Sequence, residues 1–291
     1  MAHNKKSSRP YLAVVVIAII VIILIPLPTL VLDILIALNL IMAILIFLIA
    51  LFSKKITDFS LLPTALLVST IFGLAVNIFS ARLILIKGAA FDGWAIQAVA
   101  SLAAASGDFT RLIIIYAGFI VFAAFLIIVI TKCTTRVSEA AALFILNVMQ
   151  VKIMIVEYEY SSGSITEEEA QKRKAPIHKE ADFYGTMDGA VKFISGSIKI
   201  VIFIMAATIL GGIGFSVLLR DESFAGVVNT YIPLSILNGL QFLLQIFLLS
   251  IAAYRSVPRE ITKMPKVSHA EFADRSTAEA VGEIRKNEDE K

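Results

Sequence analysis

The chain alternates long apolar runs with short polar segments. Runs of about twenty residues with almost no charge are long enough to cross the ~30 Å hydrocarbon core of a bilayer as helices. Six such runs occur: Tyr11–Ile25, Thr29–Phe52, Leu61–Ala81, Leu112–Thr131, Ile200–Leu219 and Tyr231–Tyr254. The pattern therefore predicts an all-α, polytopic membrane protein with about six transmembrane helices and a small helical cytoplasmic insert.

The first two runs are separated only by the segment Pro26-Leu27-Pro28. Proline blocks helix continuation, so this segment predicts a tight hairpin between the first two spans. A cleaved signal peptide is the alternative interpretation of the first run, and the basic start of the chain fits it. No small-residue cleavage site follows the run, which favours the hairpin.

A polar insert, residues 133–196, separates the fourth run from the fifth. Its pattern predicts three helical pieces, of which the first, Ser138–Val156, begins with Ser138 as a cap. The segment Tyr160–Ser164 predicts a break in the chain.

The second and third pieces of the insert follow this break. The capping-box sequence Thr166–Glu169 predicts the start of the second helix, in which Glu168–Lys172 and Glu169–Arg173 are favourable pairs one turn apart. This helix is expected to stop near Pro176. In the last piece, Lys179–Phe193, the glycines predict close backbone approach or a bend before span five.

Composition and charge fix the class of protein and its orientation. The chain has 58% hydrophobic and 17% charged residues and a mean hydropathy of +0.86, which excludes an ordinary soluble domain. Lysine and arginine are more frequent in the segments that are cytoplasmic if the N-terminus is inside. We therefore expect a cytoplasmic N-terminal tail (1–10), spans one to four (11–132), the cytoplasmic insert (133–196), spans five and six (197–254) and a polar cytoplasmic tail (255–291).

Nothing in the sequence indicates an enzyme. Cys133 is the single cysteine, which excludes an intramolecular disulfide, and no cysteine or histidine cluster accompanies it. His178 lies near Glu180 and Asp182, but one histidine at that spacing is more typical of a solvated residue than of a metal ligand. No P-loop, nucleophile elbow or dinucleotide fingerprint occurs. We expect no catalytic, metal-binding or cofactor-binding residues.

Three segments resemble a known family. The segment Pro26–Asn39, the sequence Arg136-Val-Ser-Glu139 and the stretch Glu180–Phe193 are similar to motifs of the FHIPEP family, the export-gate proteins of type III secretion. The similarity runs in the same order from about residue 9 to about residue 254. The stretch Glu180–Phe193 carries most of the signal, because its mixed composition cannot be matched by an arbitrary apolar helix.

The resemblance implies a protein of the bacterial inner membrane that works in flagellar or related type III protein export driven by the proton motive force. Its implied partners are further copies of itself in a ring, the other gate proteins and the lipid bilayer, with no nucleic acid. Family members usually have eight spans and a large cytoplasmic domain, whereas this sequence has six runs and a short polar tail. Direct contact with the export ATPase and with substrates is therefore a weaker expectation.

The sequence departs from the family pattern at several charged positions. Five neutral residues stand where the family usually has charged ones: Gly73, Leu143, Asn147, Ser197 and Asn238. Gln150-Val151 also replaces the usual Pro-Gly. The charged residues that remain are the candidate ion-coupling or gate residues, namely Asp33, Arg136, Glu139, Asp188 and Lys192.

Each candidate also has a structural interpretation. Asp33 is either part of a proton relay or a hydrogen-bonded residue near the Pro26–Pro28 turn. An ion pair across one helical turn would explain Asp188 and Lys192 together. Four amide side chains in the spans are expected to form hydrogen bonds between helices: Asn77, Asn238, Gln241 and Gln245.

Two hypotheses for the function remain open. The chain is either a working export-gate subunit that conducts protons or substrates, or a diverged, shortened family member that serves as a non-conducting scaffold or ring-assembly component. A third interpretation, that the sequence is a fragment of a longer product, is modestly disfavoured by the polar C-terminal tail.

Overall fold

A computed structural model of the chain describes residues 28–52, 61–97, 109–219 and 224–257; the side chains of 109–113, 219 and 224–225 are not described. Within these ranges the structure is helical and contains no strand. We number the α-helices as α1 (Thr29–Phe52), α2 (Leu62–Lys87), α3 (Phe109–Leu143), α4 (Met149–Ser161), α5 (Glu167–Leu219) and α6 (Phe224–Arg255). A 3₁₀ turn, Gly88–Ala90, follows α2, and a π-helical turn, Phe144–Val148, joins α3 to α4.

The predicted all-α membrane architecture is confirmed. Five helices in the described ranges are long and apolar enough to cross a membrane. They correspond to predicted spans two to six, and α1 has the predicted bounds Thr29–Phe52. The first predicted span, Tyr11–Ile25, lies outside the described residues, as do most of the Pro26–Pro28 turn and most of the terminal tails.

The best-packed part of the chain consists of α1, α2 and α6, which contact one another. Half or more of the apolar spans of α2 and α6 is buried, whereas α3 and α5 leave most of theirs exposed. The packed helices share an apolar cluster that includes Leu32, Phe79 and Tyr231. Tyr231 also forms a 3.0 Å hydrogen bond between its hydroxyl and that of Ser216 in α5. Exposed apolar faces are the normal condition of helices that lipid or neighbouring proteins cover.

The polar insert contains the predicted break between two helices. Helix α4 ends at Ser161, and Gly163 has a φ of +73° before α5 begins at Glu167. The predicted capping bond is present, since the amide of Glu169 donates to Thr166 Oγ1 at 3.3 Å. The two predicted pairs are also present, with Glu168–Lys172 at 3.1 Å and Glu169–Arg173 at 3.8 Å. These sequence predictions are confirmed.

The predicted ends of the insert helices are wrong in two places. Ser138 does not cap a helix, because α3 runs through it to Leu143. Helix α5 does not stop near Pro176 but continues unbroken to Leu219. Pro176 lies on an exposed face, where water reaches the carbonyl group that proline leaves without an amide donor. The polar insert and spans four and five therefore share continuous helices.

Two smaller expectations also need correction. Helix α6 begins at Phe224, which is seven residues before the predicted start of the sixth span at Tyr231. Close backbone approach at Gly185 and Gly189 is absent within the described residues, because a Cβ atom at either position would meet no atom of another element within 4 Å. Both glycines lie inside α5.

The chain divides into two compact units. The first consists of the residues up to Ser138 together with Thr186–Ser256, and the second consists of Glu139–Gly185 together with the residues from Val257 onward. The second unit has a small apolar core of its own in the described insert, formed by Val156, Ala170 and Ile177. Ion pairs join α4 to α5 there, with Glu157–Lys174 at 3.0 Å and Glu159–Arg173 at 2.6 Å.

The glycines of the insert provide a test of this fold. Gly163→Ala is expected to destabilise the second unit by about 1–2 kcal/mol, because an L-residue is strained at positive φ. Gly185→Ala is the matched control and is expected to stabilise it by roughly 0.5–1 kcal/mol, since Gly185 lies in an exposed helix with open space around it. Thermal unfolding of both variants in detergent measures the two effects. Shifts of the same sign would contradict the turn at Gly163.

Candidate functional site

Asp33, near the start of α1, caps the short helical turn formed by residues 94–97. Its carboxylate accepts hydrogen bonds from the backbone amides of Trp94, at 2.9 Å, and Ala95, at 3.0 Å. Residues 94–97 are helical, and the first amides of a helix have no partner within it. Asp33 supplies these partners across a separation of 61 and 62 residues and thereby fixes the segment after α2 against α1.

A second contact holds the same segment. Asp92 accepts from Thr29 Oγ1 at 2.9 Å and pairs with Lys87 Nζ at 2.5 Å. The hydrogen bonds from Lys87 and Thr29 lower the pKa of the Asp92 carboxyl, so the contribution of this carboxylate to stability is lost only when the pH falls through that lowered pKa. Trp94 is 75% exposed beside these contacts.

The other candidates of the first unit, Arg136, Asp188 and Lys192, lie near the C-terminal end of α6. Lys192 pairs with Asp188 at 2.6 Å across one turn of α5, as predicted. Asp188 also accepts a hydrogen bond from Ser138 of α3, so one carboxylate joins the two helices. The guanidinium group of Arg136 lies 5.8 Å from the centre of the Tyr254 ring, in cation–π range.

The candidates therefore do not form a single site. Asp33 holds a segment whose Ile96 belongs to the same apolar cluster as Tyr231, near the start of α6, whereas Arg136 contacts Tyr254 near the end of α6. At about 1.5 Å per residue, these two positions on α6 are roughly 35 Å apart. Glu139 is exposed and belongs to the second unit. Within the described residues, no group of three or more His, Cys, Asp or Glu side chains is arranged to hold a metal ion.

Between the two ends of α6, uncharged amide side chains join the packed helices α1, α2 and α6. Asn39 of α1 and Gln245 of α6 form a reciprocal pair, with Nδ2 donating to Oε1 at 2.7 Å and Nε2 donating to Oδ1 at 2.9 Å. The same Nε2 donates to the carbonyl oxygen of Ser69 in α2 at 2.9 Å. Asn39 and Gln245 are each only 1% exposed. One side chain of α6 therefore connects all three helices in a buried place.

A second amide contact joins α2 to α6. Asn77 Nδ2 donates to the carbonyl oxygen of Asn238 at 3.0 Å, and Asn238 Nδ2 donates back to the carbonyl oxygen of Asn77 at 3.2 Å. Buried amide groups require such partners, because an unpaired donor in an apolar environment is costly. The expectation that these side chains bond between helices is confirmed for Asn77, Asn238 and Gln245.

Gly73 makes room for the Gln245 amide. A Cβ atom at Gly73 would overlap the side-chain amide of Gln245. No larger residue therefore fits at Gly73 while Gln245 keeps its bonds to Asn39 and Ser69.

Comparison with known proteins identifies the family. The FHIPEP family model matches residues 19–278, which is most of the chain. The chain belongs to the FHIPEP family. Together with five helices able to span a bilayer, this membership indicates an inner-membrane protein.

Several similar members of the family are flagellar biosynthesis proteins named FlhA. The chain is 44% identical over 255 residues to the protein of Treponema pallidum, covering 87% of this chain and 36% of that protein. It is 44% identical over 233 residues to that of Borreliella burgdorferi and 35% identical over 235 residues to that of Salmonella typhimurium. Each of these matches covers 80% of this chain and 33% of the relative, so the chain spans about a third of the length of the relatives it matches. No solved structure matches the chain.

Sequence reasoning missed several participants in these contacts, among them Asn39, Ser138 and Tyr254. The sequence indicated no partner for Asn39, which bonds to Gln245. It predicted Ser138 as a helix cap, whereas Ser138 donates to Asp188. Ser138 stands only two positions from the candidate Arg136, and this proximity was the one available signal for it. The sequence marked Tyr254 only as the end of a span, whereas Tyr254 contacts Arg136. The sequence did not indicate which helix each of these residues contacts.

The contact at Gly73 gives a direct test of the amide cluster. Gly73→Ala is expected to lower the stability of the protein by about 1–3 kcal/mol, because the added methyl group displaces the Gln245 amide. Gly118→Ala in α3 is the matched control and is expected to be tolerated, since a Cβ there meets nothing within 4 Å. Thermal unfolding in detergent measures both.

A double variant separates this effect from a general intolerance at Gly73. With Gln245→Ala in the background, Gly73→Ala is expected to cost much less, because the overlapping atoms are gone. An equal cost in both backgrounds would show that Gly73 is required for another reason.

Proposed function

We propose that this protein is a non-enzymatic inner-membrane component of a flagellar-type protein export apparatus. The observation that carries the proposal is the family match over residues 19–278, supported by relatives named for flagellar biosynthesis. The Asp188–Lys192 pair supports it further, because it lies in the stretch Glu180–Phe193 that carries the family resemblance.

The proposed topology is multi-pass with both termini in the cytoplasm. In this orientation the insert and the Arg136–Tyr254 contact lie on the cytoplasmic side, while Asp33, Asp92 and Trp94 lie on the outer side. The basic residues of the insert support this orientation.

The proposed partners are further copies of this chain, other membrane proteins of the export gate and, less directly, the export ATPase and its substrates. The long apolar faces of α3 and α5 support membrane partners, because most of their apolar surface is exposed in the single chain. Examples are Val121 and Phe203, which are 69% and 73% exposed.

Deletion of the gene in the native bacterium tests the proposal. Secretion of flagellar subunits into the medium is expected to fall by at least tenfold and to return when the gene is supplied again. Normal secretion and motility in the deletion strain would exclude a role in flagellar export.

A second candidate function is a non-conducting scaffold in the same apparatus. The uncharged contacts Asn39–Gln245 and Asn77–Asn238 favour it, because proton transfer through a membrane needs ionisable groups that these positions lack. Cytoplasmic pH measured during overproduction of the chain separates the two functions. A conducting gate acidifies cells placed in acidic medium, whereas a scaffold leaves their pH equal to that of cells carrying an empty vector.

Asp33 provides the sharpest test at the level of one residue. If it acts as a cap, Asp33→Asn keeps an acceptor oxygen and most of the secretion, whereas Asp33→Ala loses both bonds and about 0.5–2 kcal/mol of stability. If it relays protons, the two variants lose secretion equally, because neither side chain is ionisable. Secretion and melting temperature measured together for both variants distinguish these outcomes, and we expect the asymmetric one.

A further inference from the structure

A line of polar residues, interrupted by one glycine, runs along the contact between α2 and α6. We call this line the polar seam and define it by the positions Ser69, Gly73, Asn77, Ser80, Ser235, Asn238, Gln241 and Gln245. The contacts Ser69–Gln245 and Asn77–Asn238 show that the two helices are antiparallel. Ser80 and Ser235 each lie three residues beyond the asparagines, in the same direction, so they are at the same level. From Ser69 to Ser80 the seam is about 16 Å long, roughly half the thickness of the hydrocarbon core.

Five buried oxygen atoms of the seam have no hydrogen-bond partner in the part of the chain that the structure describes. They are Asn77 Oδ1, Ser80 Oγ, Ser235 Oγ, Asn238 Oδ1 and Gln241 Oε1. Four of these residues are at most 3% exposed. Native proteins rarely leave such groups unpaired, because each one costs free energy when it is removed from water.

The chemistry of these atoms restricts what binds them. The amide nitrogens of Asn77 and Asn238 already donate to backbone carbonyl oxygens, so the free amide atoms are acceptors. A ligand must therefore donate hydrogen bonds. No position of the seam is ionisable, so nothing there balances a charged ligand. Water is the small, neutral donor that fits, and it also accepts bonds from the two serine hydroxyls.

We propose that the polar seam is a water-binding site inside the membrane-spanning unit. Water molecules bind to the amide oxygens of Asn77 and Asn238 and to the hydroxyls of Ser80 and Ser235, and they bridge α2 to α6. This inference is independent of the proposed export function, since it rests only on the contacts between these two helices. It places internal water within the bilayer at a location without an ionisable side chain.

An experimental structure of the full chain in lipid nanodiscs, at a resolution that shows waters, tests the proposal directly. Density is expected within about 3 Å of Asn77 Oδ1 and Asn238 Oδ1. Absence of density at both atoms would overturn the proposal. Density that disappears when sodium salts are replaced by choline salts would also overturn it, in favour of a bound cation.

A stability measurement provides a second test with opposite expected signs. If Ser80 and Ser235 hold water, the double variant Ser80→Ala/Ser235→Ala loses those bonds, and its melting temperature is expected to fall by about 2–4 °C. If the hydroxyls are buried without water, their removal raises the melting temperature or leaves it unchanged, which contradicts the proposal. Ser250→Ala is the matched control in α6, because its hydroxyl donates to the Phe247 carbonyl oxygen at 2.8 Å and takes no part in the seam.

Discussion

The reciprocal hydrogen bonds between Asn39 and Gln245 hold the packed part of this membrane protein together. Lipid is as apolar as leucine, so burial of apolar side chains provides little preference for one helix arrangement over another in a bilayer. Specific polar contacts supply that preference. Because Gln245 also contacts Ser69, one buried amide fixes the relative positions of α1, α2 and α6. The same contact requires a glycine at position 73, since a side chain there would occupy the space that the Gln245 amide fills.

The charged candidate residues all make structural contacts or lie exposed at the surface of the insert. Asp33 and the pair Lys87–Asp92 attach the segment after α2 to the start of α1. Asp188 and Arg136 make contacts near the far end of α6, where one joins α3 to α5 and the other meets Tyr254. These charged contacts thus lie near the two ends of α6, whereas the contacts Asn39–Gln245 and Asn77–Asn238 between them are uncharged.

The sequence predicted some levels of this structure well and others poorly. The position of α1 and the break around Gly163 followed from apolar length and turn chemistry, which act over a few residues. The ion pair Asp188–Lys192 followed from helical spacing. The predicted end of a helix at Pro176 was wrong: α5 continues through this exposed position, where water can satisfy the carbonyl group that proline leaves without a donor. Contacts between distant residues, such as Asp33 with Trp94, depend on which helices are neighbours. A single sequence does not show which helices pack against one another.

A double-mutant cycle on Asn39 and Gln245 tests the central claim most directly. The free energy of unfolding is measured in lipid for the wild type, Asn39→Ala, Gln245→Ala and the double variant. The account predicts a coupling energy of about 0.6–1.7 kcal/mol, the range of buried hydrogen bonds between membrane helices. A coupling energy indistinguishable from zero would show that the amide contact does not hold the three helices together.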